Sequence, residues 1–305
     1  MPGKYRGAML MASAASIWGS MYVVSKMVLG SVAPIALVWL RYLVALLAFV
    51  LLGLITRPGW RLPRRHWFLI AAIGAVGYGV SIWAQFLGTQ LTTAQMGAVV
   101  TAATPAFMVV FGRLILGERI TLGRIGAVVL ATLGILLVIG FQGVAVGKLA
   151  GGLVLLLAAV TWALMSVLVK RVPLDYSPLV VTTYAMGVAF VLVTPLALPQ
   201  LPALSLVLHR PTLWGGILYL GTVSTAGAFY LWNRGLQLID AAGNGGLYFF
   251  FQPLVGALLG WLMLGETVGW GFGFGAALIL IGVGLTIKGV GSGNGRSALP
   301  RPCND

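Results

Sequence analysis

Inside the apolar stretch "GYGVSIWAQFLG", Tyr78, Ser81 and Gln85 stand three and four residues apart, which puts them on one face of a helix. Tyr230 and Asn233 share a face by the same rule, and so do Asn244, Tyr248 and Gln252. None of these groups carries charge at neutral pH. Their chemistry is recognition: hydroxyls and amides that line a wet cavity and hydrogen-bond a solute, or that bond neighbouring helices at about 0.6 kcal/mol each. Trp18 and Trp162 lie deep within their apolar runs, far from the interfaces where tryptophan collects, and suit the wall of such a cavity. Pro105 and Pro253 cannot donate backbone bonds, so they free the carbonyls of Thr101 and Phe249. A carbonyl freed at membrane depth needs a neighbour or a water-filled space, and the alternative is a simple kink.

The chemistry that is missing narrows the field further. The chain has only five acidic residues: Glu118, Asp175, Asp240, Glu266 and Asp305. Each falls in a loop, at a helix end or in the tail, and His66 and His209 sit beside charged loop residues. No nucleophile–histidine–acid set and no metal-ligand spacing is visible, so neither an enzyme nor a bound metal or other cofactor is expected. The single cysteine, Cys303, excludes an internal disulfide. Arg41 alone reaches inward from a helix end. It either meets an anionic group, or snorkels to the interface, or pairs with a carbonyl.

The elements that must position these residues are membrane-spanning helices. The 305 residues are 60% hydrophobic and 8% charged, with mean hydropathy +1.02, more apolar surface than one soluble core could bury. A helix of about twenty residues crosses the roughly 30 Å hydrocarbon layer. Ten such runs are expected: 7–28, 34–55, 67–89, 92–116, 121–140, 148–170, 176–198, 212–236, 242–264 and 269–288. The first has too long an apolar stretch for a signal peptide and is expected to be retained. The net charge of +14 is spread rather than gathered in a patch, which argues against nucleic-acid binding. With the N-terminus in the cytoplasm, fifteen of the nineteen Lys and Arg residues fall at cytoplasmic ends; only Lys26, Lys148 and Arg210 fall outside, with Arg41 inside a span.

The chain is also written twice. "LILGERIT" (Leu114–Thr121) and "LMLGETVG" (Leu262–Gly269) share a Gly-Glu phrase 148 residues apart, each preceded by a proline, Pro105 or Pro253, twelve residues before the glycine. Nearer the start of each half, "SIWGSMYVVSKMV" (Ser16–Val28) matches "VTWALMSVLVKRV" (Val160–Val172). Trp18 pairs there with Trp162, Lys26 with Lys170 and Pro34 with Pro178, at an offset of 144. Five spans per half would send the second copy into the membrane from the opposite side, an inverted-topology repeat. Domains are expected at 1–143 and 144–290, with 291–305 a polar cytoplasmic tail. In the Gly-Glu phrase the glycine suits the left-handed position after a helix, and the glutamate lies before the positive end of the next one. Gly256 with Gly260, and Gly271 with Gly275, are GxxxG pairs suited to close helix packing, within one chain or between chains.

Ten spans in two five-helix halves, a tryptophan inside the first and sixth, and a Pro-x11-Gly-Glu ending the fourth and ninth resemble the drug/metabolite transporter superfamily. The nearest type is EamA, the bacterial ten-helix metabolite and amino-acid exporters. That resemblance implies an all-α protein of the bacterial inner membrane, both termini cytoplasmic, whose halves enclose a central substrate cavity with the fifth and tenth helices peripheral. The expected function is a secondary transporter exporting amino acids or related small metabolites by alternating access. Lacking a titrating group at mid-membrane, it is expected to act as a uniporter. The rival classes are a passive pore and a membrane enzyme. The expected partners are a small-molecule substrate and the lipid bilayer, with the chain acting as a monomer.

Overall fold

A computed structural model describes residues 2–117, 146–173, 176–203, 210–238, 248–249, 251–266 and 269–291, with scattered positions between 122 and 137. Every regular element among them is helical. In chain order these are α1 (Pro2–Leu29), α2 (Pro34–Thr56), α3 (Arg64–Leu91), α4 (Ala94–Leu116), α5 (Val146–Val169), α6 (Pro178–Ala197), α7 (211–238), α8 (Phe251–Leu264) and α9 (Trp270–Gly291). Pro34, Pro178 and Pro211 open α2, α6 and α7, where a missing N–H costs nothing and the fixed φ favours the first turn. Gly117 (φ 70°) and Gly265 (φ 64°) end α4 and α8 in the left-handed conformation, as the repeated phrase requires.

Five described helices, among them α2 with 23 residues, are long and apolar enough to cross a bilayer. Leu47, Leu51, Leu54 and Ile55 on α2 are 59–79% exposed, an apolar face that water would not tolerate and lipid accepts. The expected fifth span, 121–140, falls mostly outside the described residues. Of the expected ninth span, 242–264, the described α-helix runs over Phe251–Leu264.

Two departures from straight α-helix were not expected. Within α3, Ile73–Ser81 winds with i→i+5 bonding, and within α7 so does Tyr219–Gly227: nine residues each, 146 positions apart. In addition, α4 is broken at Ala102–Ala103, with Pro105 opening its second segment, Thr104–Leu116. The carbonyl that Pro105 frees, Thr101 O, accepts a 2.7 Å bond from the Thr104 hydroxyl.

The packing exchanges like elements between the halves. The helix α1 packs against the later part of α7 and against α8, while its repeat counterpart α5 packs against the later part of α3 and the second segment of α4. A Cβ added at Gly74 would meet Ala185 O at 2.2 Å and Val188 Cβ at 3.1 Å; one at Gly221 would meet Val44 Cβ at 2.5 Å and Arg41 O at 3.1 Å. Arg41 and Ala185 therefore hold equivalent places, 144 residues apart. Gly256 lies within reach of Ala98 on α4, so this GxxxG glycine is used inside the chain.

The Gly-Glu phrase departs from expectation in its partner. Glu266 does not serve the helix that follows it. Its Oε1 accepts from Ala94 N (2.7 Å) and its Oε2 from Gln95 N (3.0 Å), so it caps α4, a helix of the other half. The cause is tertiary: α8 lies along the first segment of α4, which brings the end of one to the start of the other. Beside it, Lys26 Nζ donates to the carbonyls of Thr89 (2.8 Å), Gln90 (2.9 Å) and Thr92, where α3 runs out of intrahelical partners. Toward the opposite end of α4, Arg171 donates to Ile115 O at 2.6 Å. Glu118 and Asp240 lie outside the described residues.

Candidate functional site

The broken helix α4 and the end of the irregular segment of α3 meet at one cavity lined by both halves. The first half contributes Trp18 and Met21 from α1, Arg41 from α2, Ser81, Ile82 and Gln85 from α3, and Thr101 and Thr104 from either side of the α4 break. The second half contributes Ala158 and Trp162 from α5, Phe229 from α7, Phe249, and Gln252 from α8.

A directed chain of hydrogen bonds supports the first-half side. Gln85 Nε2 donates to the Tyr22 hydroxyl (2.5 Å), Tyr22 lies 2.5 Å from the Thr101 hydroxyl, and Thr101 donates to Gly97 O (2.7 Å). Gln252 Nε2 joins from α8 by donating to Thr101 Oγ1 at 2.8 Å. Thr101 Oγ1 thus accepts two bonds and gives one, using its full capacity. Ser81 donates to Ala158 O (2.8 Å), tying α3 to α5.

The other side is a cluster of rings. Trp18 meets Trp162 edge-on with centroids 6.3 Å apart, stacks on Phe249 at 5.8 Å, and touches Phe229 and Trp232 at 5.6 and 5.1 Å. Its Nε1 donates to Ser224 O (3.2 Å), a carbonyl inside the widened turn of α7. Trp162 also meets Phe229 at 5.7 Å and Tyr78 at 6.2 Å.

Of the residues singled out from sequence, Trp18, Ser81, Gln85, Thr101, Trp162 and Gln252 line this cavity. Tyr78 is buried behind the wall, not in it, with its ring against Trp162 and Phe229. The i→i+5 winding around it explains this, because three residues no longer nearly complete a turn and Tyr78 is rotated off the face of Ser81. Tyr230 is 50% exposed and Phe229 takes the inward place beside it. Tyr248 is half-buried and outside the lining, and Asn244 and the side chain of Asn233 fall outside the described residues.

Arg41, expected to reach inward and to meet an anionic group, snorkel or pair with a carbonyl, stands in the lining. It is 1% exposed, so it does not snorkel to an interface, and its described side-chain bond runs to a hydroxyl, not to a carbonyl. Its Nε donates to Thr225 Oγ1, whose own proton goes to Leu220 O (2.7 Å), and its guanidinium carbon stands 5.3 Å from the Phe86 ring centre. Its Nη1 has no partner, and neither has Gln85 Oε1. No carboxylate lines the cavity among the described residues.

This sequence matches the EamA-like transporter family over residues 5–140 and 149–288, one match per half. The chain belongs to that family. Its helices and this membership make it a multi-pass membrane protein. Over 52 residues it is 69% identical to the permease-like protein YdzE of Bacillus subtilis, a match covering 17% of this chain and 65% of that one. It is 29% identical over 264 residues to the uncharacterized inner membrane transporter YedA of Escherichia coli, covering 83% and 81% of the two chains. Matches span 62 and 65% of two curated relatives and 79 and 81% of two others. A solved structure at 22% identity superposes with a TM-score of 0.60 over 92% of this chain and 95% of the other, a likeness of fold.

Proposed function

We propose that this protein is a secondary transporter that moves amino acids or related small metabolites out of the cell, through the cavity between its halves, by alternating access. One observation carries the reading: both halves line one cavity at the break of α4 and the end of the widened segment of α3, with mostly polar groups from the first half and mostly rings from the second. Interrupted helices at corresponding places in two halves favour a solute site in transporters.

The architecture that goes with this is ten spans in two inverted halves, 1–143 and 144–290, with a cytoplasmic tail at 291–305. Support comes from the exchange of like packing partners between halves. It comes also from Glu266 meeting the start of α4 while Arg171 meets its end. The charge bias puts both termini in the cytoplasm, and the relatives favour a bacterial inner membrane. Transport runs down the substrate's own gradient, without catalysis, metal or other cofactor, and a monomer suffices.

The test is a flux screen in liposomes over the proteinogenic amino acids. Saturable uptake that unlabelled substrate competes away is the expected result. Linear, non-competable leak would turn the reading to a pore, and turnover of a solute into a new compound would turn it to an enzyme.

A further inference from the structure

We infer that Arg41 selects the substrate: its unpartnered guanidinium edge receives a carboxylate, so the transported molecules are amphipathic monocarboxylates rather than neutral or cationic amphiphiles. This rests on the transporter reading and adds a chemical class to it.

A cation at 1% exposure inside a membrane protein is costly unless something pairs with it. Arg41 is held on two sides, by the Thr225 hydroxyl at Nε and by the Phe86 face, and this aims the rest of the group without neutralising it. Arg41 lines the cavity, its Nη1 is buried without a partner, and no described lining residue is acidic. A ligand carboxylate supplies the missing charge through a short, charge-assisted bond.

The scaffold itself does not require the charge. The equivalent place in the second half is Ala185, which receives Gly74 and its helix just as Arg41 receives Gly221. In both halves that contact is made by the backbone carbonyl, so it does not call for a guanidinium at position 41. A single cation fits one carboxylate and is too little for a polyanion such as a nucleotide. Gln85 Oε1, the other orphan atom among the lining residues, accepts a hydrogen bond from an amino or hydroxyl group of the same ligand. The rings of Trp162, Phe229 and Phe249 on the opposite side then take an apolar side chain.

The test uses the full-length protein in nanodiscs, wild type, Arg41→Gln and Arg41→Lys, each checked for an unchanged melting temperature. Four probes are titrated by calorimetry: phenylalanine, 3-phenylpropionate, phenylalaninamide and phenethylamine. The wild type is expected to bind the first two at least tenfold more tightly than the last two, and Arg41→Gln to abolish that preference. If Arg41→Gln does not fold, Arg41→Lys decides, with an expected tenfold loss for 3-phenylpropionate. Phenylalaninamide binding as tightly as phenylalanine, a carboxylate preference that survives in both variants, or no binding of any probe overturns the inference. Saturable flux of some solute that is indifferent to Arg41 overturns it too, while leaving the transporter reading standing. Absence of saturable flux for every solute removes that reading itself.

Discussion

The two halves of the chain contribute unequally to the cavity: most of its polar groups come from the first and most of its rings from the second. From the first half come a cation, two hydroxyl-bearing threonines, a serine and an amide, with Trp18, Met21 and Ile82 beside them; from the second come three aromatic rings, an alanine and one amide. Yet the shells behind those walls are alike, down to Gly74 and Gly221 pressing on equivalent helices and to widened turns of equal length. A duplicated frame keeps its packing because a buried helix contact tolerates little change, whereas a residue facing open space is free to diverge. An amphipathic solute bound between such walls has one preferred orientation.

Trp18 and Trp162 offer the sharpest way to break this comparison, since they are repeat mates that the packing treats differently. Trp18 is 5% exposed, touches four rings and donates to Ser224 O. Trp18→Ala should cost about 3–5 kcal/mol and most of the folded protein. Trp162 is only partly buried, so Trp162→Ala should keep more than half of the folded yield while lowering substrate flux about tenfold, a change of about 1.4 kcal/mol. Equal yields and equal fluxes would make both residues mere packing. Size-exclusion yield and liposome flux, measured side by side, decide it.

The polar wall should next be weakened alone. Thr101→Val keeps the shape but removes three hydrogen bonds, to Tyr22, Gln252 and Gly97 O. At about 0.6 kcal/mol each the loss is about 2 kcal/mol, or a melting temperature lower by about 4–8 °C. Phe249→Leu, on the aromatic wall, should cost under about 1.5 kcal/mol. A larger drop for Phe249→Leu would reverse the assignment of which wall holds the frame.

Neither wall offers a described carboxylate or histidine, so an imposed pH gradient should change the initial rate less than about twofold and drive no uphill accumulation. Accumulation that disappears in Asp240→Asn would make the protein proton-coupled. Smallest of all, Tyr230→Phe should stay within about 0.5 kcal/mol of wild type in stability, with unchanged flux. A flux defect there would mean that Tyr230, half exposed beside Phe229, enters the cavity in another state.

What could be read from the sequence was whatever depended on period or duplication: apolar runs, paired tryptophans, the proline at the break of α4, and the left-handed glycines. Six lining residues followed from those alone. Arg41 was read as reaching inward, but its hydroxyl partner Thr225 lies 184 residues away and no local pattern connects the two. Tyr78 and Tyr230 were misplaced because their facing was inferred from straight helical periodicity, and in each case a widened turn lies at or just before the residue. Glu266 was given the right physics and the wrong helix, since the nearest helix end in sequence is not the nearest in space.

The widened turns also carry a date. Two insertions made separately in each half would have no reason to fall at 73–81 and 219–227, stretches of equal length in the same helix of each copy and within one position of the register that pairs Gly74 with Gly221. Sequence matches before them run at an offset of 144 and those after them at 148, so length changes accumulated on either side while this stretch kept its own length. The feature is best placed in the single-length ancestor, before the gene doubled. That ancestor, assembling as two separate chains around one axis, would have had a cavity with identical walls, and the lone arginine at position 41 would be a later departure from that symmetry.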